Sequence, residues 1–423
     1  MLFNRRNNKS VLYLQKGWFM SKTPWLIKLV RPTYGKWMLH HYDVRLEGYE
    51  KLPQKGPFLV IGNHTHIYDP VFLSSSTPFH IHWVMGAYLF KTKLLNFIFD
   101  KLVKGISKQQ GKSDMHTIKA MRETLSHNGV VGFFPEGTRT WDGDSTPVND
   151  ATAKLIRLFR VPVVVFHLEG AYNSKPRWAS ERRKGPIILK VVKVIQKEDF
   201  EHKSIKELTS LLNSSLTFSA DKWQKKSHIP YKSTNRAKWI EQVLYACPSC
   251  SSFSTIEGSK DTFKCNNCHS SWQMNEFDEI KGINETPFYP SVALWHTWEQ
   301  SLLEELAKKE SSVPLFTTDD GLLFQCADGN KLIVLSKNFS FNATNRTFIV
   351  HVASFMKGQT CFSEKTIVFN FDAISSIIIN AKSTLEFTHA SRIYRVRIKP
   401  AQSILKYVEL YHIYLDSYLK EGI

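Results

Sequence analysis

Four short apolar runs, each bounded by glycine or proline, constrain the first half of this chain more than any other feature. Phe58-Leu59-Val60-Ile61 stops at Gly62, and Val130 to Phe134, interrupted by Gly132, stops at Pro135. Val163 to Phe166 follows Pro162, and Ile187 to Ile195 follows Pro186. Runs this short, rich in β-branched residues and closed abruptly, read as buried strands. Between the first two lies a helical pattern. Ser113 or Asp114 can cap it, Met115, Ile118, Met121 and Leu125 form its apolar stripe, and Asn128-Gly129 can end it. Strands alternating with helices imply an α/β domain with a largely parallel sheet over residues 44–200.

A chain of 423 residues is too long for one core, so further modules are expected. Residues 201–245 read as a polar helical linker, and 276–312 as a second one. The latter carries a helix near 293–310 with Leu294, Trp298, Leu302 and Leu306 on one face. From about 313 the texture changes to short strands. Around 392–399, Tyr394, Val396 and Ile398 face one way and Arg395, Arg397 and Lys399 the other. The chain closes on an amphipathic helix with Leu405, Val408, His412, Leu415 and Leu419. Several strands closed by one helix resemble, in texture, a pleckstrin-homology-like barrel over 313–423.

Cysteine usage points to a metal. Cys247-Pro-Ser-Cys250 and Cys265-Asn-Asn-Cys268 are separated by fourteen residues, the spacing of a four-cysteine zinc ribbon, here placed at 246–275. Four thiolates saturate a tetrahedral ion, so the zinc is expected to be structural. No apolar stretch follows the first basic residues as a secretory signal would require, which favours metal over disulfides. Cys326 and Cys361 read as inert buried thiols.

The net charge of +18 calls for a polyanion nearby. The excess is concentrated: residues 1–40 hold eight Lys/Arg and no Asp/Glu, interleaved with Trp18, Phe19, Trp25, Tyr34 and Trp37. Lys16, Lys22, Lys28 and Lys36 interrupt every apolar run short of the roughly 18–20 residues needed to span a bilayer. Basic and aromatic residues so mixed suit a segment lying among lipid headgroups. Residues 1–43 are therefore expected to be a membrane-surface arm, attaching the protein peripherally to the cytoplasmic face of an anionic membrane. A nucleic-acid-binding protein would account for the charge and the ribbon, but it leaves the next two motifs unexplained.

Residues 63–69 read NHTHIYD directly after a strand, where chemistry collects in open α/β sheets. A hydroxyl nucleophile at neutral pH needs a base, and His64 suits that task. Asp69 could accept the imidazole's other N–H and stabilise the imidazolium. An offset of five is about 140° on a helix, so the two meet only if 64–68 form a loop that turns back. As a plain alternative, Asp69-Pro70 is a helix start with Asp as cap. Residues 133–140 read FFPEGTRT, again after a strand. Gly137 lets backbone N–H groups approach an anion, Thr138 adds a hydroxyl, and Arg139 adds a fork for phosphate oxygens. Glu136 could orient Arg139 or the acceptor's second hydroxyl. The alternative is a tight turn with a surface Arg.

Together these residues resemble the glycerolipid acyltransferase family that includes lysophosphatidate acyltransferase (PlsC-like). The matching residues are Asn63-His64…Asp69, Phe134-Pro135-Glu136-Gly137-Thr138-Arg139 and Val161-Pro162-Val163, in the family's order and spacing. The resemblance covers about 44–200. It implies an O-acyltransferase that takes a fatty acyl group from acyl-CoA or acyl carrier protein. The implied acceptor is a glycerolipid hydroxyl, with 1-acylglycerol 3-phosphate foremost. It implies His64 and Asp69 as catalytic and Glu136, Gly137, Thr138 and Arg139 as substrate-binding. Backbone N–H groups near 63–69 are expected to hold the oxyanion. The sequence departs from the family twice. Lys108 stands where an Arg is usual, and Val148-Asn149-Asp150-Ala151 stands where a phosphate-binding Lys is often found. A non-phosphorylated lipid acceptor is therefore an alternative.

Overall fold

A computed structural model describes residues 23–90, 93–108, 115–308, 313–316, 318–329, 331–357 and 360–421. The chain forms two compact units. One runs to Arg177 and resumes over Lys184–Ser227; the other comprises Trp178–Arg183 and His228–Ile423.

The first unit is built on a seven-stranded sheet: β1 Val44–Glu47, β2 Phe58–Gly62, β3 Ile81–Gly86, β4 Ile106–Lys108, β5 Val130–Phe133, β6 Val163–Glu169 and β7 Ile187–Ile195. Their order is β1-β7-β6-β2-β5-β3-β4. All neighbours are parallel except β6 and β7. Every residue of β2 is buried, as expected of a central strand covered on both faces. Alternate residues feed two cores. Leu59 and Ile61 pack with Met121, Ile156, Leu208 and Leu212 on one side; Phe58 and Val60 pack with Met38, Phe72 and Phe79 on the other.

The helix Met115–Ser126 buries Met121 and Leu125. Asn128 adopts the left-handed conformation, and Gly129 N–H bonds Thr124 C=O, so the expected stop is present. Its expected caps, Ser113 and Asp114, lie outside the described residues, as do residues 1–22 of the arm. The rest of the arm is not detached from the domain. Helices Trp25–Val30 and Lys36–His41 flank a π-helical turn, Met38 and Tyr42 are core, and Arg31 donates to the carbonyls of Pro78 and Phe79. Among the described residues no helix is long and apolar enough to cross a membrane.

The linker at 201–245 is helical only in part. Helices Ile205–Leu216 and Ala220–Ser227 are followed by irregular chain with one short turn at Ile240–Gln242. Helical spacing fails there because Tyr231, Ile240, Val243, Leu244 and Tyr245 are all buried, leaving no solvent face.

In the second unit, strands Ile256–Ser259, Thr262–Cys265, Ser271–Met274 and Ile280–Gly282 form an antiparallel meander around the cysteines. Eight antiparallel strands, from Asp319–Asp328 to Arg392–Ile398, form the C-terminal sheet, and the helix Leu405–Glu421 closes the domain. Val396 and Ile398 point inward as their alternation implied. Two helix faces differ from expectation. On Val292–Ala307 the buried residues are Val292, Ala293, Trp295, His296, Glu299 and Leu303, while Leu294 is 43% exposed. On the last helix Leu405 is buried as read, but Tyr407, Leu410 and Tyr411 are buried too and His412 faces out. In both, a polar partner makes the difference. Glu299 accepts the Ala246 N–H, and Tyr407 donates its hydroxyl to Asp319.

Candidate active site and cysteine centre

Strands β2 and β5 are parallel neighbours, so the loops leaving their carboxyl ends emerge side by side. The first carries NHTHIYD. Asn63 is anchored by its carbonyl oxygen, which accepts the Leu168 N–H at 2.8 Å. Residues 64–68 turn back on the helix Asp69–Ser76, bringing Asp69 to His64. Asp69 Oδ2 lies 2.9 Å from His64 Nδ1 and accepts the backbone N–H groups of Thr65 and His66 at 2.8 Å each. Asp69 is fully buried and makes no side-chain cap for its own helix, whose N-cap position is Tyr68. The plain helix-start reading therefore does not describe it: its carboxylate serves the preceding loop. Because a carboxylate only accepts, Nδ1 carries the proton and Nε2 is left basic. The His64 side chain is 19% exposed.

The second loop binds the first through both backbone groups of His64. Its N–H donates to Glu136 Oε1 at 2.8 Å, and its carbonyl accepts the Thr140 N–H at 3.0 Å. The other Glu136 oxygen accepts the Thr146 N–H at 3.4 Å. Burial pushes the Glu136 carboxyl up to about 8, with Asp69 and Asp142 adding to the rise and the two N–H donors opposing it. Glu136 thus joins the loops, a role beside the two read for it, orienting Arg139 or the acceptor's second hydroxyl. The oxyanion expectation also needs correction at five positions, two of them Tyr68 and Asp69, whose N–H groups donate to the His66 ring and carbonyl. The N–H groups of His64, Thr65 and His66 are already bound to Glu136 and Asp69.

Gly137 sits at φ 69°, with open space where a Cβ would stand, and Thr138 beside it is exposed. Arg139 is half-buried. Sequence reasoning missed Arg177. It is buried, donates to Thr138 Oγ1 at 2.8 Å and to the Arg139 carbonyl at 3.0 Å, and lies 4.3 Å from the centroid of the Trp141 ring. A lone Arg after Pro176, 39 positions from its partner Thr138, gives no local signal. Lys108 ends β4, exposed, in register with Gly86 of β3. It lies on the carboxyl edge of the same parallel strands. The segment lacking the family's Lys is used structurally. Val148 N–H donates to Asn213, Asn149 caps the helix Asp150–Phe159, and Asp150 accepts the Thr209 hydroxyl. His80 and His82 meet the carbonyls of Val103 and Lys104, and His66 Nδ1 accepts the Tyr68 N–H, so these rings serve local structure.

In the second unit, the Sγ atoms of Cys247, Cys250, Cys265 and Cys268 lie within 4.8 Å of one another, with Cys247–Cys268 at 3.6 Å and Cys250–Cys265 at 3.8 Å. Four Zn–S bonds of about 2.3 Å in a tetrahedron place sulfurs about 3.8 Å apart. The two knuckles repeat each other. Ser251 N–H bonds Cys247 C=O and His269 N–H bonds Cys265 C=O, with both Ser251 and His269 in the left-handed region. Among the described residues this is the one group of three or more metal-capable side chains. Cys326 is a buried free thiol, while the Cys361 side chain lies outside the described residues.

The acyltransferase family model matches residues 43–168. The 1-acyl-sn-glycerol-3-phosphate acyltransferase of Bacillus subtilis (strain 168) is 24% identical over 174 residues, 41% of this chain and 84% of that protein. The enzyme of the same name from Helicobacter pylori (strain J99) is 27% identical over 139 residues, 32% of this chain and 59% of that protein. The crystal structure of the 1-acyl-sn-glycerophosphate (LPA) acyltransferase PlsC from Thermotoga maritima aligns with a TM-score of 0.40 at 21% identity. That alignment covers 48% of this chain and 79% of that one.

Proposed function

We propose, from the match of residues 43–168 to the acyltransferase family model, that this chain acylates the free hydroxyl of 1-acylglycerol 3-phosphate from an acyl thioester. The observation that carries the reading is the 2.9 Å contact between His64 Nδ1 and a buried Asp69. His64 Nε2 takes the proton of the acceptor hydroxyl, and the oxygen attacks the thioester carbonyl. The C–S bond then breaks, and the departing thiolate takes the proton from His64. Asp69 stabilises the imidazolium in between. No covalent acyl-enzyme is needed.

Gly137, Thr138, Arg139 and Lys108 are assigned to the acceptor's phosphate. Thr138 Oγ1 accepts from Arg177, which leaves its own O–H to donate to an anion. Pure protein incubated with labelled acyl-CoA, or acyl carrier protein, and a panel of lysolipids tests the reading. The expected main product is labelled phosphatidate. Acylation of uncharged acceptors alone would remove the phosphate assignment, and no acyl product from any acceptor would remove the whole reading.

The cysteine centre is assigned to structural zinc, supported by its sulfur separations and closed thiolate set. Peripheral membrane attachment through the arm is supported by what its described part exposes. Trp25 is 66%, Leu29 59% and Trp37 52% exposed, beside Lys28 and Lys36. Because Met38 is core, the arm is best tested by substitution. Trp25→Ser, Leu29→Ser and Trp37→Ser together should weaken binding to phosphatidylserine-containing vesicles at least tenfold, at about 25 cal/mol per Å² of apolar surface withdrawn. Equal sedimentation with such vesicles, for a variant that folds normally, would refute attachment at this face.

A further inference from the structure

Resting on the assignment of His64 as the base, we infer that Trp83 is a positioning residue that sets the plane of the His64 ring through Phe134. The hydrogen bond to Asp69 fixes one edge of the imidazole but not its tilt. The tilt is set by a face. The Phe134 ring stacks on His64 with centroids 4.1 Å apart and planes 12° apart. The indole of Trp83 in turn stacks on Phe134, with centroids 5.1 Å apart and planes 4° apart. Three rings thus lie nearly parallel, the His64 side chain 19% exposed and Trp83 4%.

The indole is itself held at both ends. Its Nε1–H donates to Ser74 Oγ at 2.8 Å. Ser74 belongs to the helix Asp69–Ser76, so one helix governs the edge of His64 through Asp69 and its face through Ser74. On the other side, the indole lies over Gly132 of β5. A Cβ there would stand 2.8 Å from Trp83 Cε3 and Cζ3 and 2.5 Å from Ile81 Cγ2. This accounts for a glycine inside a central strand, which otherwise only weakens it. The slot for the indole is built into the sheet, next to the strand end that leads to Phe134.

Trp83→Leu keeps an apolar side chain but removes both the flat face and the donor. Misplacing a reacting group by about 1 Å can cost roughly 10²-fold, so kcat should fall about 10–100-fold, with KM for both substrates within about twofold. Trp83→Phe, which keeps a flat face, should restore most of the loss. The ring-current shift of the His64 Hε1 proton, seen by NMR of imidazole-labelled protein, should be lost in Trp83→Leu and retained in Trp83→Phe. A pure core role would lower the melting temperature and leave kcat and the proton shift in place; that result overturns the inference. If Trp83→Leu does not fold, Ser74→Ala removes only the indole's hydrogen bond. It should lower kcat about threefold or more, and wild-type kcat with an unchanged proton shift would equally overturn the inference. His64→Ala in the same assay separates the two claims. Full activity there defeats the base assignment, whereas an inactive His64→Ala beside a fully active Trp83→Leu defeats only the positioning role.

Discussion

Replacing His64 with alanine is expected to lower turnover by about 10²–10⁴-fold, the usual range for loss of a general base, with the fold intact. The fold should survive because the His64 side chain is partly exposed and its backbone groups, not its ring, tie the two loops together. KM should change little, since the ring acts on the proton and not on binding the head group. Asp69→Asn should also impair turnover, because the neutral amide cannot stabilise an imidazolium as a carboxylate does. His66→Ala supplies the contrast. His66 is wholly buried and its Nδ1 accepts the Tyr68 N–H, so its loss should appear as lower stability with near-normal turnover per folded molecule. Near wild-type kcat for a folded His64→Ala would remove the mechanism.

The legible parts of this molecule are those whose determinants are local. β2, β5 and β6 appear as short apolar runs because they are buried on both faces, and β7 because its buried residues alternate with largely apolar half-buried ones; Gly or Pro bounds each. β1 and β4 do not. Val44–Glu47 alternates half-buried and exposed residues at a sheet edge, and Ile106–Lys108 is only three residues long. The His64–Asp69 pair was readable because its members are five positions apart and a turn suffices to join them. The groups that brace the pair come from far along the chain. Glu136 reaches His64 across 72 positions and Arg177 reaches Thr138 across 39. Trp83 acts through Phe134, which follows the end of another strand. The same limit appears in the second unit. The stripe read on Val292–Ala307 is half-buried at Trp298, Leu302 and Leu306 but misses the most buried face, because His296 and Glu299 are buried with partners in Glu409 and the Ala246 N–H. A hydrophobic period cannot register polar residues that fold inward to be satisfied.

Removing the metal from the cysteine centre should unfold the ribbon while leaving the acyl-transfer step itself unchanged. One zinc per chain is expected by elemental analysis. Structural zinc supplies on the order of 10 kcal/mol to small domains of this kind, more than a four-stranded meander of short strands provides alone. The meander buries only Ile256, Phe263, Trp272, Met274 and Ile280 from its strands' apolar residues, and Phe263 and Trp272 are in ring contact with Trp295 of the helix Val292–Ala307. Cys265→Ser, or a strong chelator on the intact chain, should therefore release the metal and make the region from about 245 to 282 sensitive to protease. The chemistry should be spared, since four thiolates leave no open position for water or substrate. His64 and Asp69 also belong to the other compact unit. Any loss of activity should then track loss of folded protein or of vesicle binding, and kcat per folded, bound molecule should hold. Two results would overturn this assignment. One is a folded ribbon containing no metal. The other is a folded, metal-free protein that regains turnover only when zinc is returned, which would place the ion in the reaction.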